Sequence, residues 1–135
     1  MANSIVTQIL VDGPRNAVVK FTAVLDTSDI ALTTIVDPAS FYDTPPQFKL
    51  MHIDYAMTDP MEAQLQWQGT PNTVMMPLAG RGRMSFVDFG GLTDNAATPT
   101  GRIQLLTTGY PTSTIQVITL VLEMVKVGKT NAGVR

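Results

Sequence analysis

The sequence predicts an all-β domain, an antiparallel β-sandwich or jelly-roll-like unit of about eight or nine strands, and three observations predict it. Short runs rich in Val, Ile, Thr and aromatic residues recur along the chain, each ended by Gly, Pro, Asn or Asp. Within those runs apolar and polar residues alternate with period two, as a half-buried strand requires. Turn signals return every 8–12 residues or so, the spacing of sandwiches and barrels.

The first strand is Ser4–Val11, closed by Asp12-Gly13-Pro14-Arg15-Asn16, where Asp-Gly favours a turn and Pro14 has no N–H for a ladder. The second runs from Ala17 to about Asp26 and sets Val19, Phe21, Ala23 and Leu25 inward against Val18, Lys20, Thr22 and Val24. Together they read as a hairpin. Leu32–Asp37 is a short third strand, and Asp37-Pro38 opens an irregular surface loop through Phe41, Tyr42 and Pro45-Pro46. Phe48–Thr58 places Met51, Ile53, Tyr55 and Met57 on one face, with Lys49 at their end, and His52 and Asp54 on the other.

After Asp59-Pro60, the alternation of Ala63, Leu65 and Trp67 with Glu62, Gln64, Gln66 and Gln68 gives one buried and one wet face. Gly69-Thr70-Pro71-Asn72 turns into Thr73–Ala79, whose Pro77 demands an edge position or a bulge. Gly80-Arg81-Gly82-Arg83 reads as a turn leading into Met84–Phe89, which Gly90-Gly91 stops. The Thr-, Asn-, Ala-, Pro- and Gly-rich stretch from Leu92 to Gly101 is expected to be exposed and mobile. Arg102–Thr108 follows, and Gly109-Tyr110-Pro111 turns into Thr114–Val127. That last run is apolar on both faces and rich in β-branched residues, so it is a strand rather than a helix, central or covered by another chain. One domain over 1–127 and a flexible tail over 128–135 are expected.

Composition narrows the function. The chain has 135 residues, 9 basic against 11 acidic, a net charge of −2 and 15% charged residues, where an ordinary soluble domain has about 25%. Basic residues so few and scattered cannot track a phosphate backbone, so no nucleic acid partner is expected. At 44% hydrophobic residues the chain can build a core, and no run reaches the roughly 18 apolar residues of a membrane helix. The absence of cysteine removes disulfides, thiolate metal ligands and a Cys nucleophile.

Candidate chemistry is thin. His52 and Asp54 share a strand face, with Asp59 and Glu62 across the next turn, so a His-carboxylate cluster is geometrically possible; a zinc site wants a third strong ligand, and the pattern reads as the solvated polar face of a half-buried strand. Gly80-Arg81-Gly82-Arg83 lacks the Lys-Ser/Thr ending of a phosphate loop, and its arginines read as solvated or as clamps for a partner's carboxylates. No enzyme, catalytic residue, metal, cofactor or small-molecule substrate is expected. Distributed features are more unusual. Met75 and Met76 point to opposite faces of one strand, so one is outward unless a neighbour covers it; either can also simply fill a gap. With the outward Gln64, Gln66 and Gln68 row and the low charge, the surface suits polar, neutral contacts, although an ordinary Thr-rich β surface has the same composition.

The opening Val6-Thr7-Gln8-Ile9-Leu10-Val11-Asp12-Gly13-Pro14-Arg15-Asn16-Ala17-Val18-Val19-Lys20 resembles the start of small virion structural proteins of tailed bacteriophages and cyanophages. Leu25-Asp26-Thr27-Ser28-Asp29, Ile53-Asp54-Tyr55, Leu65-Gln66-Trp67, Gly80-Arg81-Gly82-Arg83-Met84, Phe89-Gly90-Gly91-Leu92 and Leu122-Glu123-Met124-Val125-Lys126 resemble the same proteins. The resemblance implies a particle component: a capsid decoration or cement protein, made in the host bacterial cytoplasm and carried on the outer capsid surface. Its partner would be the major capsid protein of the same phage, and it would be a homo-oligomer, dimer or trimer. Contacts are expected at Phe41, Tyr42, Met75, Met76, Arg81 and Arg83, and at the two termini, which would order on binding. A head-to-tail adaptor or tail component is the alternative within the virion. From another class, a carbohydrate-binding module would use Trp67, Tyr42 or Tyr110 as a platform.

Overall fold

Alternation along each run decides which side chains leave water, and the computed structural model follows it into two packed antiparallel sheets. It describes residues 3–26, 28–42, 44–58, 61–96, 98, 100–111 and 115–127; the expected tail, 128–135, lies outside them. The strands are β1 (Ser4–Asp12), β2 (Asn16–Leu25), β3 (Thr33–Val36), β4 (Gln47–Met57), β5 (Glu62–Trp67), β6 (Thr73–Ala79), β7 (Arg81–Ser85), β8 (Ile103–Thr108) and β9 (Gln116–Val127). Short 3₁₀ turns lie at Pro38–Ser40 and Val87–Phe89, and there is no α-helix among the described residues.

One sheet has the order β1-β2-β9-β4-β7 and the other β3-β8-β5-β6. Strands β2 to β9 are thus arranged in jelly-roll order, consecutive strands mostly changing sheets. Strand β1 stands outside that set, an extra strand hairpinned onto the β2 edge. The fold expected from the sequence is the fold observed.

Inward residues of both sheets make the core. Phe21, Phe48, Ile53, Leu65, Trp67, Ile103, Leu105 and Leu120 are all essentially inaccessible, each contributing about 1.5–3 kcal/mol of burial. β9 is central: its even residues Ile118, Leu120, Leu122 and Met124 face the core, while Val117, Thr119 and Val121 face out. Met57, Met61, Met76 and Met124 fill gaps in the same core.

Three local expectations are corrected. In β4 the register shifts between Leu50 and His52, so Phe48 and Leu50 point inward before the bulge and Ile53 and Met57 after it, with Met51 left outside. A period-two reading cannot see the inserted residue. Arg81, Gly82 and Arg83 belong to β7, paired with Ala56, Tyr55 and Asp54, rather than to a turn. Gly82 fits there because Tyr55 lies across it: a Cβ would sit 2.8 Å from the phenolic oxygen. Val87–Phe89 leaves the sheet instead as a 3₁₀ turn, closed by Gly90 at φ 79°.

The stretch from Leu92 to Gly101 is also more than an exposed loop. Leu92 bridges to Leu50, Asp94 and Ala96 are buried, and Gly101 is packed against Pro46. Asp94 Oδ1 accepts the Ala96 N–H at 3.0 Å, but Oδ2 is buried without a protein partner. Burial therefore raises the Asp94 pKa above the usual carboxylate value. A carboxyl that holds its proton more tightly when folded weakens the fold once ionised, so its effect disappears on acidification. We expect Asp94→Asn to raise the urea midpoint slightly at neutral pH, with the gain shrinking as the pH falls through the raised value; a gain independent of pH would contradict this.

Candidate interaction surface

Two outer faces remain to contact anything else, and they differ in kind. The four-stranded sheet presents an amide network: Gln66 Nε2 donates to Gln64 Oε1 at 2.7 Å, and Asn72 Nδ2 donates to Gln66 Oε1 at 3.1 Å and to Gln104 Oε1 at 2.7 Å. Gln104 Nε2 then donates to Thr34 Oγ1 at 3.2 Å, so the chain of bonds crosses from β5 to β3. At one end Gln68 Oε1 accepts from Thr100 and Arg102, and Arg102 also pairs with Asp37 at 3.5 Å. Gln64, Gln66 and Gln68 are thus each hydrogen-bonded within the chain.

The five-stranded sheet has the opposite character. Its outward rows follow from the register: Val24 beside Val117, Thr22 beside Thr119 and Ala56, Lys20 beside Val121 and Asp54, Val18 beside Glu123 and His52. Val24 and Val117 are 43% and 42% exposed, and neighbouring Ile115 is 66% exposed. At the other end a groove of about 590 Å³ is lined by Val11, Val18, Met51, Val87 and Val125, with Arg15, His52 and Glu123 among them. Phe89, two residues beyond Val87, is 81% exposed.

The ion pairs on this face form one cluster. Arg83 reaches from β7 to Asp54 on β4 at 2.7 Å and to Glu123 on β9 at 3.7 Å. All three side chains are about half exposed, so the cluster adds little to stability.

Of the contact residues expected from sequence, the structure brings few together. Phe41 is 5% exposed and packs edge-on against Phe48 at 5.0 Å, so it is a core residue, not a surface contact. Tyr42, beside it, is 65% exposed. The Leu65/Gln66 register shift makes Met75 the bulged residue of β6: Met76 faces the core, Met75 is partly buried, and Val74 is the outward side chain. Pro77 does sit on an edge strand. Arg83 is engaged with Asp54 and Glu123, while Arg81 lies exposed at the start of the β7 edge. Sequence reasoning named the termini as contacts but not the apolar exposure of β1, whose nine residues are all exposed although Ile5, Val6, Ile9, Leu10 and Val11 are apolar. Their signal was the run of apolar residues on both faces of the first strand.

The described members of the His52 cluster are not brought together. His52 stands beside Glu123, Asp54 is held by Arg83, and Glu62 lies on the other sheet; Asp59 is outside the described residues. Among the described residues no group of three His, Asp or Glu side chains converges as a metal site. Nor is any of their helices long and apolar enough to cross a membrane. Trp67, 1% exposed, is unavailable as a stacking platform, and Tyr110 is partly buried against the core.

No family model matches the sequence, and no characterised protein matches it either. Among solved structures the chain is similar to a cupin domain from Bordetella pertussis Tohama I, at 9% identity and a TM-score of 0.37 over 94% of this chain and 98% of that one. It is also similar to a CBM4 structure, at 11% identity and a TM-score of 0.34 over 90% and 94% of the two chains. Likenesses this distant carry nothing about what the chain binds.

Proposed function

We propose that the chain is a structural component of a tailed-phage particle, a decoration protein that lies on the outer shell and bridges major capsid protein subunits. The jelly-roll order favours no function by itself, since shell proteins, lectins and cupins share it. Support comes from the sequence resemblance to small virion proteins and from one physical observation. The outer face of the five-stranded sheet exposes Val24, Val117 and Ile115 at one end, and its register puts Lys20, Asp54 and Glu123 in the rows beyond them. A lone soluble domain rarely leaves such an apolar face open to water. Covering that apolar end releases ordered water without burying the charges of the rows beyond it, which is how a neutral clamp gains affinity for an expanded lattice and stabilises that lattice by mass action.

Two measurements test the reading. Mass spectrometry of purified virions should find the chain at shell stoichiometry, in hundreds of copies; a ring of about six or twelve would make it a neck or tail component instead. Second, the double variant Val24→Lys/Val117→Glu, which sets opposite charges beside each other at two half-exposed, directly paired positions, should keep its denaturation midpoint within experimental error. Its occupancy of expanded shells should fall at least about tenfold, the equivalent of about 1.4 kcal/mol. Undiminished occupancy would remove this face as the contact.

A further inference from the structure

Strand β1 carries an inference that stands apart from the shell reading, because it concerns the purified chain alone. It is an appended strand at the edge of the five-stranded sheet, with one side hydrogen-bonded to β2 and the other open. Natural edge strands are shortened, charged or interrupted by proline to prevent pairing with other chains. From Ser4 to Val11 β1 has no charged residue and no proline. Ile5 and Ile9 remain 43% and 38% exposed, and Val6 and Leu10 54% and 47%. The one irregularity is the register shift between Ile9 and Val11, which leaves Ser4–Ile9 as the regular part of the open edge.

We infer that this edge pairs antiparallel with the same edge of a second copy, joining two five-stranded sheets into one of ten strands about a two-fold axis at Thr7. The register follows from symmetry and sequence. In a two-fold antiparallel pair the residue numbers of partners must sum to an even number, since only alternate residues point their backbone groups outward. A centre at Thr7 sets Ile5 against Ile9 of the other copy, twice, and Val6 against Gln8, twice. A centre at Val6 would instead oppose Ile9 to Asn3, whose side chain already bonds Ser28 and Asp26. The Thr7 register buries isoleucine against isoleucine and brings no like charges together. A strand pair this short covers less than the roughly 800 Å² per partner of a standard interface, so the dimer is of micromolar rank and concentration-dependent.

Because the chain has no cysteine, single substitutions read the register directly. Thr7→Cys places the two thiols opposite each other across the axis, within disulfide reach. Ile5→Cys and Ile9→Cys, on the same face, leave their copies about 13 Å apart along the strand and serve as collision controls. Under mild oxidation at about 50 μM, a concentration above a micromolar Kd, Thr7→Cys should convert to covalent dimer at least about tenfold faster than either control. Sedimentation of the unmodified chain should show twice the monomer mass at high concentration, and Thr7→Lys, which opposes two ammonium groups at the axis, should stay monomeric. Mixing Thr7→Lys with Thr7→Glu should restore the dimer. A chain that remains monomeric throughout the micromolar range overturns the inference, as does equal or faster cross-linking at position 5 or 9. A β1 edge that becomes protected only on the particle would assign it to the shell partner instead and equally overturn self-pairing.

Discussion

Gly101→Ala is expected to be among the most damaging single substitutions in this chain, lowering stability by on the order of 4 kcal/mol or preventing folding. Two causes add. Gly101 has φ 83°, in the left-handed region where a side chain costs about 1–2 kcal/mol. A Cβ there would stand 2.2 Å from the Pro46 carbonyl oxygen and 2.9 Å from Pro38 Cγ. Both obstacles are rigid, one being backbone and the other a proline ring, so relief requires moving the chain itself. The neighbouring backbone has little freedom: Gln68 N donates to Arg102 O at 3.0 Å and Thr100 N to Gln68 O at 3.3 Å, tying the entry of β8 to the end of β5. Gly90→Ala is the control, since Gly90 also has positive φ, 79°, but nothing within 4 Å of its would-be Cβ. It should cost about 1 kcal/mol from conformation alone. Equal urea midpoints for the two variants would show that the contact with Pro46 is not what fixes this glycine.

That glycine illustrates what could and could not be read from sequence. The alternations Val19/Phe21/Ala23/Leu25 and Ala63/Leu65/Trp67 identify their buried faces because burial on one side of a regular strand imposes period two. Every strand was legible from such runs and the turn residues between them, apart from the start and end of β7. Errors fell where pairing with a distant segment overrode local chemistry. The glycines and arginines before Met84 have the composition of a turn, yet β4 offers them a ladder and Tyr55 fills the space that Gly82 leaves. One inserted residue, Met51 in β4 or Met75 in β6, moves its neighbours to the other face without any compositional mark. Phe41 looked like a loop aromatic because Phe48 on β4 and Lys126 at the end of β9 meet it only once the sheet has formed. Of the candidate surface, the apolar excess of β9 was read from the sequence and that of β1 was not, and strand order decides that these runs lie under an uncovered face and at an open edge. No local pattern encodes that order.

Lys126 is the residue whose burial the sequence conceals most completely, and its removal should rank with Gly101→Ala. At the end of β9 a lysine reads as a charge leaving the sheet, but its even position turns it inward and its side chain is wholly inaccessible. Nζ donates to Asp12 Oδ1 at 2.7 Å, to the Gly13 carbonyl at 2.7 Å and to the Tyr42 carbonyl at 3.1 Å. The rings of Phe41 and Tyr42 lie 5.9 and 5.8 Å from it. One ammonium therefore fastens the β1–β2 turn and the segment after β3 to the central strand. Lys126→Ala should lower stability by on the order of 3 kcal/mol, since it strands the carbonyls it served and empties the space of its stem. Lys126→Met, which keeps the stem, should lose less. Asp12→Asn strands a buried cation rather than a solvated anion, and Asp12→Asn combined with Lys126→Met should recover part of what Asp12→Asn alone loses. The pH dependence fixes the assignment. The hydrogen bond from Lys126, aided by the Tyr42 N–H, holds the Asp12 carboxyl below its usual range. A carboxylate with a depressed folded pKa adds stability that is complete above the unfolded value, about 4, and is lost as the pH falls through the depressed one. The gap in urea midpoint between the unmodified chain and Asp12→Asn should accordingly be constant from neutrality to about pH 4 and close only in stronger acid. A gap already closing at pH 6 would mean that some other group supplies the partner charge.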